Sequence, residues 1–314
     1  MSAVIPLDPR TTAVVVQESA WQPVDLGRFL NMEIPQRGYL LKPWLPEQGL
    51  VMVYAARGVG KTHFALATAY AVACGGSFLN GQAPQAEGVL YLDGEMPAIA
   101  MQERLAAIAA GSDKEPTAPF RLLTPDLCER MPNMADPDDQ HALEPLLTDI
   151  KLIVLDNVST LCRGAPENEA DGWQVIQDWM LSQRKQGRSV LLVHHAGRSG
   201  EARGTSKRED VLDTVIKLRH PADYRTEDGA RFELQFSKAR GFQGKDAEPL
   251  EAKLITGTSG ESAWVWQTVE VTTYDRVVKM LREGMKQQDI ATELVINKST
   301  VSRHARRAEQ EGRL

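Results

Sequence analysis

Short apolar runs recur through the middle of this chain, at residues 50–54, 88–92, 152–155, 189–193, 213–218 and 231–237. They are rich in Val, Ile and Leu, and most are too short for helices. That length and composition predict strands buried on both faces. Amphipathic stretches lie between them, and the alternation predicts an α/β architecture: a mostly parallel twisted sheet with helices on both faces. The run His63-Phe64-Ala65-Leu66-Ala67-Thr68-Ala69-Tyr70-Ala71-Val72-Ala73 is a strong helix former. Two stretches break the pattern. Residues 111–140 are rich in Pro and Asp and read as an insertion. Residues 196–210 have almost no apolar content and read as an exposed, mobile loop.

The ends of the chain differ from its middle. Residues 1–20 carry no clear period and are expected to form a flexible arm. Residues 21–48 hold Trp21, Phe29, Tyr39, Trp44 and four prolines, and are expected to wrap the main domain, which runs over 21–271. From about Thr272 the pattern becomes helical: 275–283 ended by Gly284, then 287–294, then a third helix from Lys298 through Ala308. Ile290, Ala291, Leu294, Ile296 and Val301 fall at the spacing of a small apolar core, which predicts a small all-α helix-turn-helix domain over 272–314.

Composition narrows the class. The 314 residues are 42% hydrophobic and 25% charged, as expected for a globular protein of one large and one small domain. The net charge of −6 excludes a globally basic nucleic-acid binder, but it is unevenly placed. Residues 275–314 hold nine Lys or Arg against six Asp or Glu, a net +3, which leaves −9 for the rest. Cys74, Cys128 and Cys162 lack the spacing of a zinc site or disulfide frame and read as reduced thiols. No apolar run approaches the ~18 residues of a membrane helix, and the N-terminus lacks the shape of a signal peptide. A cytoplasmic location, with no membrane partner, is expected.

The chemistry begins at the first strong strand. Residues 55–62 read Ala55-Ala56-Arg57-Gly58-Val59-Gly60-Lys61-Thr62, directly before the helix-forming run and its first residue, His63. This is a phosphate-binding loop between a strand and a helix. Its glycines let backbone N–H groups turn inward round an anion, and the helix adds a positive dipole end. Lys61 is expected on the β- and γ-phosphates, and the Thr62 hydroxyl on Mg²⁺. The pattern departs from G-x-x-x-x-G-K-[ST] at its first position, where Ala55 stands for Gly. The 152–155 strand ends in Asp156, a second Mg²⁺ candidate acting through a water. The 88–92 strand runs into Asp93-Gly94-Glu95, so one of these carboxylates is the expected base for water attack, with Glu95 favoured over Asp93. The 189–193 strand ends in His194-His195. Strand ends on one edge of a parallel sheet share a crevice, so a histidine there can sense the γ-phosphate.

Taken in order, Ala-Arg-Gly-Val-Gly-Lys-Thr, Tyr-Leu-Asp-Gly-Glu-Met-Pro, Ile-Val-Leu-Asp-Asn and Val-His-His-Ala resemble the RecA-like hexameric ATPases. The likeness is greatest to the plasmid-replication helicases of RepA type, which are similar in core to the DnaB helicases, and it spans about residues 37–245. The resemblance implies a RecA-like P-loop NTPase, with Glu95 as the catalytic glutamate, Asp156 in the second Walker motif and His194 and His195 as a sensor pair. It also implies that Lys238 and Arg240, in the strand-ending Lys-x-Arg-Gly, serve as basic fingers on a phosphate held by the neighbouring subunit of a homo-oligomer, a hexamer by that likeness. The residues agree in part, since alternation puts Lys238 and Arg240 on one face of an extended segment. In such rings the loop after the histidines grips single-stranded DNA, and here it carries Arg198, Arg203, Lys207 and Arg208.

The C-terminal stretch DIATEL…NKSTVSRHARRAEQEG resembles bacterial helix-turn-helix regulators. On that reading Lys298, Ser299, Thr300, Ser302 and Arg303 face duplex base edges, while Arg306 and Arg307 contact phosphates. The expectation is an ATP- and Mg²⁺-dependent DNA motor, a helicase or replication-initiation ATPase of a plasmid or mobile element. The alternative is a DNA-binding regulator whose ATP state controls assembly without unwinding.

Overall fold

The computed structural model describes residues 22–164, 170–197 and 209–314. The expected arm at 1–20 lies outside the described residues. Contacts divide the chain into two units, residues 1–36 and 37–314. Among the described residues, the first contains one short helix, α1 (Leu26–Leu30), with no buried residue. The second contains everything that follows.

The second unit opens with a small antiparallel pair, β1 (Tyr39–Leu41) and β2 (Leu45–Pro46), followed by β3 (Leu50–Ala55) and α2 (Lys61–Cys74). A second small pair, β4 (Ser77–Phe78) and β5 (Gly81–Gln82), precedes β6 (Val89–Asp93), α3 (Ala98–Ala110) and β7 (Phe120–Leu123). Next come α4 (Pro137–Leu143), β8 (Leu152–Asp156), α5 (Val158–Leu161), α6 (Ala170–Lys185) and β9 (Ser189–His195). Four strands then follow, β10 (Thr214–Arg219), β11 (Arg231–Ala239), β12 (Leu250–Thr256) and β13 (Ser262–Thr268), before the helices α7 (Val269–Arg282), α8 (Gln287–Glu293) and α9 (Lys298–Gln310).

Nine strands form one sheet in the order β13-β12-β11-β10-β3-β9-β8-β6-β7. From β10 to β7 every pairing is parallel. Strands β3, β6, β8 and β9 are buried throughout, which is why they read as continuous apolar runs. Period-two alternation sorts their side chains onto two cores. Val51, Val53, Val89, Val154, Leu191 and Val193 pack with α2 on one face. Leu50, Met52, Leu90, Ile153, Leu155 and Leu192 pack with Trp173, Ile176 and Met180 of α6 on the other. Each such fully buried aliphatic side chain contributes about 1.5–3 kcal/mol. Helix α2 is apolar all round because it lies within the first core.

Two parts of the sequence reading need correction. Residues 111–140 are not wholly an insertion: β7 lies within them and forms the parallel edge of the main sheet beside β6. The strand–helix alternation also stops at β10. Strands β10 to β13 run antiparallel through short connections, and β13 is a half-exposed edge.

The C-terminal helices pack round Val277, Ile290, Ala291, Leu294 and Val301, with Ile296 partly buried against them. Helix α7 starts at Val269, before the expected residue 275, and Gly284 ends it in the left-handed region at φ 82°. Its extra first turns carry Thr272 and Tyr274, both buried, and Tyr274 packs with Val278 and Ala308.

Candidate active site

Ala55 is the last residue of β3, buried and not at positive φ. The missing glycine of the loop pattern therefore costs nothing, because the position it would fill is ordinary strand. The positions that need glycine are Gly58 and Gly60, at φ 81° and 114°. Val59 between them is buried in the α2 core and anchors the loop. Helix α2 begins at Lys61, with Gly60 as its N-cap residue. Its fourteen residues direct their positive end at the loop. The Lys61 ammonium donates to the carbonyls of Ala55 (3.1 Å) and Ala56 (2.9 Å). An ammonium has three donors, so one remains for a phosphate oxygen. Burial lowers the Lys61 pKa, partly offset by the charges of Asp156 and Glu95.

Asp156 ends β8 at 4% exposure. It accepts hydrogen bonds from the Tyr91 hydroxyl at 2.7 Å and from the Thr62 side chain. Burial raises its pKa, and these two hydrogen bonds oppose the rise. Thr62 and Asp156 thus present two oxygen ligands side by side at the helix N-terminus. That donor set fits Mg²⁺, which binds one or two protein oxygens and takes its other ligands from phosphate and water.

The two carboxylates at the end of β6 have different surroundings. Asp93 is 2% exposed and accepts from the backbone N–H of Met96 at 2.8 Å and from that of Glu95. Burial holds its pKa up at about 6. Its oxygens are occupied in shaping the turn. Gly94 donates its N–H to the Asp156 carbonyl at 2.7 Å, and a Cβ there would lie 2.2 Å from the Thr160 hydroxyl. This pinned turn sends Glu95 outward. Its side chain is 49% exposed, with Oε1 3.8 Å from His195 Nε2.

These groups surround one cavity of about 770 Å³. Arg57, Gly58, Gly60, Lys61, Thr62 and His63 line it from the loop, and Glu95, Asp156 and His195 from neighbouring strand ends. His63 stays neutral, with its pKa near 4 because of burial and the nearby Arg104. The two sensor histidines separate. Alternation along β9 puts His195 on the α2 face, while His194 points to the α6 face and does not line the cavity. Of the sensor pair that the resemblance implies, His195 lines the cavity and His194 does not.

Lys238 and Arg240 lie elsewhere. Lys238 pairs with Val215, which is level with Met52, three residues before the end of β3. Lys238 is thus about 10 Å along the strands and about 10 Å across them from Ala55. Both side chains point to one place: Lys238 donates to the Glu209 and Asp210 carbonyls, and Arg240 to the Asp210 carbonyl at 3.0 Å. The loop cations Arg198, Arg203, Lys207 and Arg208 lie outside the described residues. On α9, Lys298, Ser299, Arg303 and Arg306 are exposed, and Thr300 and Ser302 half-buried. Arg307 is tied down, with Nε 2.8 Å from Glu311 and its guanidinium 4.4 Å from the Tyr274 ring centre.

Among the residues that escaped the sequence reading are Tyr91, which holds Asp156 without lining the cavity, and Arg104 and Tyr224, which do line it. Tyr91 shares the pleat face of Asp93, so alternation was its only signal. Arg104 reaches the cavity from α3 and donates to Met96 Sδ at 3.1 Å. Tyr224 reaches it from the β10–β11 connection. Neither carried a motif.

Comparison with known proteins agrees with this geometry. A family model described as an AAA domain matches residues 16–201. The chain belongs to the AAA-domain family. Among solved structures it is similar to a KaiC-like protein from the hyperthermophilic archaeon Pyrococcus horikoshii. The TM-score is 0.51 at 15% identity, over 72% of this chain and 93% of that one. At that identity the likeness establishes the fold alone, a RecA-like P-loop NTPase. No curated protein matches the chain. The AAA-domain protein thus joins a RecA-like nucleotide-binding core to a C-terminal three-helix unit. No helix among the described residues is long and apolar enough to cross a membrane.

Proposed function

We propose that this AAA-domain protein is a homo-oligomeric, ATP-hydrolysing motor that acts on DNA, in the manner of a ring helicase or replication-initiation ATPase of a plasmid or mobile element. The observation that carries the ATPase reading is the convergence of Lys61, Thr62, Asp156 and Glu95 on one cavity at the N-terminus of α2. The loop amides and Lys61 hold the triphosphate. Thr62 and Asp156 hold Mg²⁺, which supplies charge neutralisation at the β- and γ-phosphates. Glu95, exposed to the cavity while Asp93 is held by backbone, orients the attacking water and takes its proton. His195, beside Glu95, ties the state of this base to β9 and the segment that follows it.

The distance of Lys238 and Arg240 from their own cavity supports a role at a neighbour's site. Two cations brought to a γ-phosphate stabilise transition-state charge, worth roughly 10³–10⁵ in rate. The single strand would be held by Arg203, Lys207 and Arg208. Duplex DNA would be held by the exposed first turn of α9, with Lys298, Ser299, Thr300, Ser302, Arg303 and Arg306.

The C-terminal unit favours a second reading, a DNA-binding regulator that uses ATP to control assembly, because strand separation itself needs no helix-turn-helix. A strand-displacement assay run beside a DNA-stimulated ATPase assay separates the two. Unwinding coupled to hydrolysis supports the motor. DNA-stimulated hydrolysis without unwinding supports the regulator.

A further inference from the structure

The nucleotide cavity has two ends. Asp156 and His195 end β8 and β9, and Glu95 follows β6, all on one side of β3 in the sheet order. The reacting end of a bound triphosphate therefore faces that side. On the other side of β3 lie β10 and β11, and their connection contributes Tyr224, Gly229 and Ala230 to the same cavity. With the phosphates anchored over the end of β3, the nucleoside end is directed at this connection.

The connection holds an aromatic surface in a fixed pose. The Tyr224 ring stacks on His220 with centres 3.5 Å apart and planes 17° from parallel. The Tyr224 hydroxyl donates to the Gly229 carbonyl at 3.2 Å, and His220 Nδ1 lies 3.0 Å from the Arg231 carbonyl. Gly229 turns the chain at φ 63°. An ion network frames the turn: Arg231 bonds Asp228 (2.8 Å), Asp223 (2.9 Å) and Glu251 (2.8 Å), and Lys253 bonds Asp228 (2.7 Å). These cations hold the Asp228 carboxyl far below the usual carboxylate range. A ring held this way loses little freedom when a ligand stacks on it.

We propose that Tyr224, backed by His220, is the platform on which the base of the nucleoside triphosphate stacks. The proposal rests on the ATPase reading of the phosphate site and adds to it a determinant of base recognition. A purine overlaps the ring more fully than a pyrimidine, so purine nucleotides bind more tightly than pyrimidine ones through this contact. Base–aromatic stacking sets the size of the effect, about ten- to a hundredfold in affinity.

Calorimetric titration of the full chain with ATP, CTP and inorganic tripolyphosphate, each with Mg²⁺, tests this. Tyr224→Ala is expected to weaken ATP ten- to a hundredfold, to erase the preference for ATP over CTP and to leave tripolyphosphate within twofold. Tyr224→Leu keeps bulk over His220 without a π face and is expected to behave as the alanine variant. Tyr224→Phe is expected to stay within about threefold of the parent. Unchanged ATP affinity in Tyr224→Ala and Tyr224→Leu would overturn the proposal, as would an equal loss for ATP and tripolyphosphate, which marks a purely structural role. Lys61→Ala in the same series must weaken both ligands. If it weakens neither, the phosphate-site reading fails, whatever Tyr224 does.

Discussion

Arg276 of α7 and Asp223 of the β10–β11 connection form an ion pair, with Nε 3.1 Å from Oδ2. Arg276 also bonds Glu251 at 2.5 Å, and Glu251 bonds Arg231. The first helix of the C-terminal unit and the wall of the nucleotide cavity thus share one charge network, one residue from Tyr224. Arg276→Ala takes one cation partner from the buried Glu251 and from the exposed Asp223, at a cost of about 1–3 kcal/mol, most of it at Glu251. The expected outcome is a lower denaturation midpoint together with a severalfold rise in KM for ATP and little change in kcat. A fall in stability with KM unmoved would mean that the network only braces the fold.

The proposed basic fingers are tested by mixing. Arg240→Ala is expected to abolish turnover and leave ATP affinity within a few-fold, because its charge acts on the transition state. Lys61→Ala fails instead at its own phosphate site. Mixed under assembly conditions, the two variants are expected to recover part of the activity, each supplying what the other lacks across an interface. A mixture no more active than its parts would remove the shared site.

Tyr91 is the buried group that orients the proposed magnesium ligand Asp156. Tyr91→Phe keeps the ring in the core and deletes one hydrogen bond. The Mg²⁺ concentration for half-maximal turnover is expected to rise about 10- to 100-fold, the usual cost of losing such a support. An unchanged Mg²⁺ dependence would show that Thr62 alone suffices to set the carboxylate.

Much of this architecture was legible in the sequence, for physical reasons. Strands β3, β6, β8 and β9 are buried on both faces, so their composition announces them. The phosphate loop is local, so its residues lie together in the chain as they do in space. What escaped depends on long-range pairing. β7 is half-buried and follows a Pro-rich stretch, and β12 and β13 have exposed positions that dilute an apolar signal. The split of His194 from His195 follows from the pleat once β9 is known to run through both. Tyr224 belongs to the cavity only because β10 lies beside β3 across a separation of about 160 residues.

The proposed DNA contacts are best separated by point substitutions, because removing α7 also removes Arg276 from the ion network beside Tyr224. Replacing Lys298, Arg303 and Arg306 together by Ala is expected to weaken duplex binding, to reduce its salt slope by about 1 through the lost Arg306 phosphate contact and to leave basal ATPase unchanged. Replacing Arg203, Lys207 and Arg208 is expected to weaken single-strand binding and DNA-stimulated turnover instead. Salt-titrated binding of both triple variants to duplex and single-stranded DNA checks the division. Full duplex affinity in the α9 variant would make the C-terminal helices a packing unit.

The most direct test of the account is the hydrolysis rate of Glu95→Gln beside its ATP affinity. The amide keeps the shape of the side chain and cannot take a proton from water. ATP affinity is expected within a few-fold of the parent, with turnover lower by about 10²–10⁴. Near-parental turnover, with ATP still bound, would contradict the assignment of Glu95 and with it the site geometry on which the proposed motor depends.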